Sequence, residues 1–62
     1  MDEKTKTILR KCGWDDDTLD KVNTFLQDNV YTLHNLASLG AGEYRVMYRD
    51  KSGKVAAQIF SK

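Results

Sequence analysis

The chain has no proline, one cysteine, one histidine and one tryptophan among its 62 residues. A lone cysteine forms no internal disulfide. One Cys and one His cannot complete a four-ligand zinc site. The two usual staples of mini-proteins are therefore missing, and a core of this size rarely supplies more than about 3–5 kcal/mol. Long apolar runs are missing too, since no stretch approaches the ~20 residues that span a bilayer. The charged start, Met1-Asp2-Glu3-Lys4-Thr5-Lys6, leads into no apolar segment of the signal-peptide kind. Charge of one sign is absent as well, with 10 Lys and Arg against 9 Asp and Glu. These absences predict a single small domain over residues 1–62, in a reducing, cytoplasmic setting.

The near-neutral total hides two unlike halves. Residues 1–31 carry five basic side chains against seven acidic ones, and residues 32–62 carry five against two. The acidic half reads as helix. Thr5, Ile8, Leu9 and Cys12 form one short apolar stripe at helical spacing, and Gly13 stops it. Asp15, Asp16 and Asp17 then offer caps for a second helix. Its inward stripe is Leu19, Val22 and Leu26, flanked by Phe25. Asp28-Asn29 closes it. Thr32 is read as the cap of a short third helix with Leu33, Leu36, Ala37 and Leu39 inward, ended by Gly40-Ala41-Gly42.

The last third changes period. Tyr44, Val46 and Tyr48 alternate with Arg45, Met47 and Arg49, as on a half-buried strand. Asp50-Lys51-Ser52-Gly53 suits a type I turn, and Val55 to Phe60 returns as a second strand. Two registers compete. A three-residue loop with a bulge at Gly53 pairs Asp50 with Lys54 and sets Tyr44, Val46 and Tyr48 beside Ala56, Gln58 and Phe60. A two-residue loop pairs Asp50 with Gly53 and sets them beside Val55, Ala57 and Ile59. Turn chemistry favours the first and apolar patterning the second. The expected fold is thus α+β: three short helices over 1–39, then an antiparallel β-hairpin over 43–61.

Two motifs carry a resemblance. Cys12-Gly13-Trp14 is similar to the Met-Gly-Phe/Tyr loop between the first two helices of ubiquitin-associated (UBA) domains. Asn29-Val30-Tyr31-Thr32-Leu33 resembles the Asn-Val-x-x-Ala segment that opens their third helix. The likeness covers roughly residues 5–39 and leaves the hairpin outside. Cys12 stands where that family has Met, and Leu33 where it has a small residue. The resemblance implies a three-helix bundle that binds protein through Cys12, Gly13 and Trp14, with Leu36 and Leu39 nearby. The stretch from Leu36 to Gly42 also resembles a helix-hairpin-helix, whose Gly-x-Gly turn offers amides to a DNA phosphate. That motif requires a helix after the second Gly, where Tyr44 to Tyr48 alternates as a strand.

Chemistry is sparse. His34 has no nucleophile placed to use it, because neighbours at such short spacings do not face each other on a helix. Cys12 reads as a small packed hydrophobe. The aspartate run lacks the alternation, central Gly and distant Glu of a calcium loop. No phosphate-binding loop and no nucleophile elbow occurs. The reading is therefore non-enzymatic, without cofactor or metal. The expected role is a protein-interaction module, binding another protein or a second copy of itself through Trp14, Arg45, Met47, Arg49 and Phe60. The alternative is a small nucleic-acid-binding protein with Arg45, Arg49, Lys51 and Lys54 on phosphates.

Overall fold

Asp2 starts the first helix by accepting a hydrogen bond from the Thr5 amide at 2.8 Å. Helix α1 runs over Glu3–Lys11 in a computed structural model that describes residues 1–62. Its end is a Schellman closure. The Trp14 amide donates to the Leu9 carbonyl and the Gly13 amide to Arg10, with Gly13 at φ +104°. Asp15 then caps helix α2, Asp16–Asn29, taking bonds from the Thr18 amide and hydroxyl. Arg10 bridges the two helices through Asp16 at 2.6 Å, an exposed pair of small energetic weight. Helix α1 buries no residue, and Cys12 is exposed rather than packed. Helix α2 buries Thr18, Leu19, Val22 and Leu26.

The third helix does not exist. After α2 the chain turns through Val30, whose φ of +57° lies in the left-handed region. It then enters strand β1, Thr32–Gly40. Strands β2, Glu43–Arg49, and β3, Val55–Ser61, follow in an antiparallel sheet of order β1-β2-β3. The fold is therefore α+β with two helices and three strands, and the expected three helices plus hairpin are corrected to that. A UBA-like bundle is overturned by the same observation. Asn29 to Leu33 leaves a helix and begins a strand instead of opening a third helix.

The reason lies in two bulges. The β1–β2 register shifts between Leu33 and Asn35, and again between Ser38 and Gly40. Each extra residue breaks the period of two. Leu33 opposes Tyr48 and Leu36 opposes Val46, so two leucines three apart both pack against the core. That spacing imitates a helix. The β1–β2 connection is Ala41-Gly42, at φ +52° and +77°, the two positive positions of a type I′ turn.

The β2–β3 turn is governed by Asp50. Its Oδ1 accepts from the Ser52 amide, the Ser52 hydroxyl and the Lys54 amide. The Gly53 amide donates to the Asp50 carbonyl and the Asp50 amide to Lys54. Asp50 thus faces Lys54, and Tyr44, Val46 and Tyr48 oppose Phe60, Gln58 and Ala56. Of the two competing registers, turn chemistry wins over patterning. Helix α2 lies over the middle of the sheet, and Val22, Leu26, Tyr44 and Val46 form the core.

Candidate interaction surface

With the register known, the sheet has two unlike faces. On the helix side, all six aromatic residues form one connected set. Trp14 meets Tyr44 edge-on at 5.9 Å, and Tyr44 stacks on Phe60 at 5.6 Å. Phe60 meets Phe25 at 5.1 Å. Phe25 touches Tyr48 and Tyr31, which stack on each other at 4.3 Å. Edge-to-face and offset pairs of this kind add about 0.5–1.5 kcal/mol each beyond area burial. In a chain whose one cysteine can close no internal disulfide, this cluster takes over the stapling role.

The opposite face has no layer over it. Arg45, Met47 and Arg49 alternate out of phase with the core residues of β2 and therefore point there. Across the sheet they lie in three rows. Ala37, Arg45 and Ile59 make one row, Asn35, Met47 and Ala57 the next, and Thr32, Arg49 and Val55 the third. Ile59 is 58% exposed and Val55 43%. Arg45 Nε is shielded from solvent by its surroundings and has no hydrogen-bond acceptor. Glu43 is the only acidic residue of the three strands. The face is thus an apolar sheet surface crossed by two arginines.

The residues singled out from the sequence divide between these faces. Arg45, Met47 and Arg49 sit together on the outer face. Phe60 does not join them, because the bulged register turns it toward Phe25 and Tyr44. Trp14 is also on the helix side, half-buried, with Lys62 Nζ 5.7 Å from its ring centroid. Lys51 lies in the β2–β3 turn. Lys54 opposes Asp50 in phase with Ala56 and Phe60, not with the arginines.

Sequence reasoning missed the contribution of β1, namely Thr32, Asn35 and Ala37. The available signal was Gly40-Ala41-Gly42 placed directly before an alternating strand, which is where a tight hairpin turn belongs. His34 lies exposed at the first bulge. It borders an open cleft of about 440 Å³ shared with Met1, Asp2, Thr5, Leu26 and Tyr31. The Met1 ammonium beside that cleft donates to Asn23 Oδ1 at 2.7 Å. No group of three or more His, Cys, Asp or Glu side chains is placed to hold a metal ion. No helix is long and apolar enough to cross a membrane. No protein-family model, curated protein or solved structure matches this chain.

Proposed function

We propose that the chain is a non-enzymatic protein-interaction module whose outer sheet face holds an apolar, acidic segment of another protein. One observation carries this reading. Arg45 combines a desolvated, unpaired Nε with exposed Ile59 beside it in the same row. No acceptor in the chain pairs this guanidinium, and a partner carboxylate takes its solvent-facing terminal N–H groups in a charge-assisted bond. The apolar neighbours supply the area, and the arginines supply orientation and on-rate. Exposed, unpaired Cys12 fits a reducing, cytoplasmic setting for such a module.

Nucleic acid draws less support. A sheet that stacks bases wants aromatics among its basic groups, and here every aromatic is engaged on the helix side. Lys54 is also out of phase with Arg45 and Arg49.

The test is affinity capture from the source cells with the wild-type chain and with Arg45→Glu/Arg49→Glu, folding being checked by circular dichroism. A protein retained by the wild type and lost with the double variant is the expected result. Equal retention by both overturns the outer face as the binding surface. A labelled single-stranded oligonucleotide, titrated at low and high salt, covers the other reading. Tight, steeply salt-dependent binding would replace the protein partner with nucleic acid.

A further inference from the structure

The outer edge of the sheet at β3 has properties that proteins usually avoid. Strand β3, Val55–Ser61, contains no charged residue and no proline, and pairs with β2 without a bulge. Six of its seven residues are exposed. The ends of the β2–β3 ladder show which main-chain groups face outward. The Asp50 amide donates to Lys54 and the Lys62 amide to Gly42. Bonded pairs alternate along an antiparallel ladder, so Ala56, Gln58 and Phe60 turn their main-chain groups to β2. Val55, Ala57, Ile59 and Ser61 then direct theirs to the open side. Natural sheets blunt such an edge with lysines, prolines or bulges. The other edge, β1, is blunted in this way by its two bulges.

We propose that β3 pairs antiparallel with β3 of a second copy, about a two-fold axis through Ala57, to make a six-stranded sheet. Three features select this occupant and register. First, the sequence is self-complementary about Ala57. Val55 opposes Ile59 of the second copy, twice by symmetry, and Ala57 opposes itself. The exposed apolar side chains of one copy thereby cover those of the other, with about six main-chain hydrogen bonds between the strands.

Second, charge disfavours the register shifted toward Gln58. An axis through Gln58 sets Lys54 against Lys62 of the other copy at both ends, and like charges directly opposite are destabilising. The Ala57 axis sets Lys54 beside Phe60 instead. The arginine stripes stay three strand spacings apart, about 14 Å, beyond the ~8 Å screening length at physiological salt. Third, the assembly closes. Both edges of the six-stranded sheet are then bulged β1 strands, which stop further strand addition, so the product is a dimer and not a fibre. This pairing uses the outward main-chain groups of β3 with Val55, Ala57 and Ile59, which border the arginines without including them, so Arg45→Glu/Arg49→Glu and Ala57→Pro test the two readings apart.

Sedimentation velocity decides the matter. The wild type is expected to move from 7.1 kDa toward twice that mass as concentration rises through the micromolar range. Ala57→Pro removes an outward amide that β2 does not use, so the monomer fold is retained and dimerisation lost. Ala57→Lys sets two like charges across the axis and has the same effect. Arg45→Glu/Arg49→Glu leaves the dimer intact. In a Cys12→Ser background, Ala57→Cys forms a cross-chain disulfide on mild oxidation and Ile59→Cys does not. A wild type that stays at 7.1 kDa into the millimolar range overturns the proposal. A dimer unaffected by Ala57→Pro and Ala57→Lys, or one that cross-links through Ile59→Cys alone, overturns it equally.

Discussion

Tyr44 and Phe60 oppose each other directly across β2 and β3, with rings 5.6 Å apart and planes 19° from parallel. This pair exists only in the register that Asp50 and Gly53 impose. It joins Trp14 at one end of the aromatic set to Phe25 in the middle. Tyr44 is fully buried, yet its hydroxyl has no hydrogen-bond partner. Burial raises the phenol pKa above its ordinary value, and the nearby Asp15 charge adds to the rise.

Tyr44→Phe is therefore expected to stabilise the protein. The ring and its stacking remain, and a buried unsatisfied hydroxyl costing about 1–3 kcal/mol is removed. A gain of 1 kcal/mol corresponds to roughly 4–8 °C in Tm for a domain of this size. Thermal unfolding followed by circular dichroism measures it. The sign at high pH follows from the raised pKa. Above pH 10 the unfolded phenol ionises first, so wild-type stability falls as pH rises there. The Phe variant loses this part of the decline. An unchanged or lower Tm would show that the hydroxyl is satisfied in solution.

Val30 ends helix α2 in the left-handed region at φ +57° and ψ +45°. The Tyr31 amide donates to Leu26 and the Val30 amide to Gln27, which is the Schellman pattern that normally carries glycine. A β-branched residue there is strained. Val30 is 60% exposed, so little packing is lost by removing its side chain. Val30→Gly should raise stability by about 1 kcal/mol, and Val30→Asn should act in the same direction. Urea denaturation checks this. A lower midpoint would mean that the valine side chain holds β1 in place.

Three aspartates bind main-chain amides at the joints of the fold, and each has its pKa held below the ordinary carboxylate value. Asp2 is held by the Thr5 hydrogen bonds, Asp15 by those of Thr18, and Asp50 chiefly by the Ser52 hydroxyl. A depressed folded pKa means that the unfolded chain binds more protons in the window between the two values. The stability is thus fully present above the unfolded value near 3.8 and is lost as pH falls through the folded values. Tm is expected to drop as pH falls from the unfolded value near 3.8 through the lower folded values. Asp15→Asn keeps a capping oxygen but carries no charge, so its Tm falls less over the same range. Equal slopes for the two chains would remove Asp15 from the effect.

Much of this fold is legible in the chain. Asp15 with Thr18, the stripe Leu19–Val22–Leu26 and the turn at Asp50–Gly53 are local signals, and the structure uses each of them. The outer-face grouping of Arg45, Met47 and Arg49 follows from period two alone. Phe60 was ambiguous because side-chain patterning and turn chemistry disagreed, and three hydrogen bonds to one Asp50 oxygen decide that conflict. Strand β1 was not legible, because His34 interrupts it. An extra residue in a strand brings Leu33 and Leu36 to one face at a spacing that an unbroken helix also produces. Local periodicity cannot separate a bulged strand from a short helix.

That ambiguity yields a sharp test. His34 is exposed and has no residue opposite it on β2, where Leu33 opposes Tyr48 and Asn35 opposes Met47. Deleting His34 makes Leu33 and Leu36 two apart, the spacing that places both on one face of a regular strand. Their packing against the core is retained, and the ladder to β2 becomes continuous. The deletion should therefore fold, with a Tm within roughly 4–8 °C of the wild type. On a helix, the same deletion would rotate Leu36 and Leu39 by about 100° and remove both from the core. Amide exchange gives the decisive readout. Asn35 and Ala37 should remain protected by β2 in the deletion variant. A chain that fails to fold would show that the bulge at His34 is required for the twist of β1.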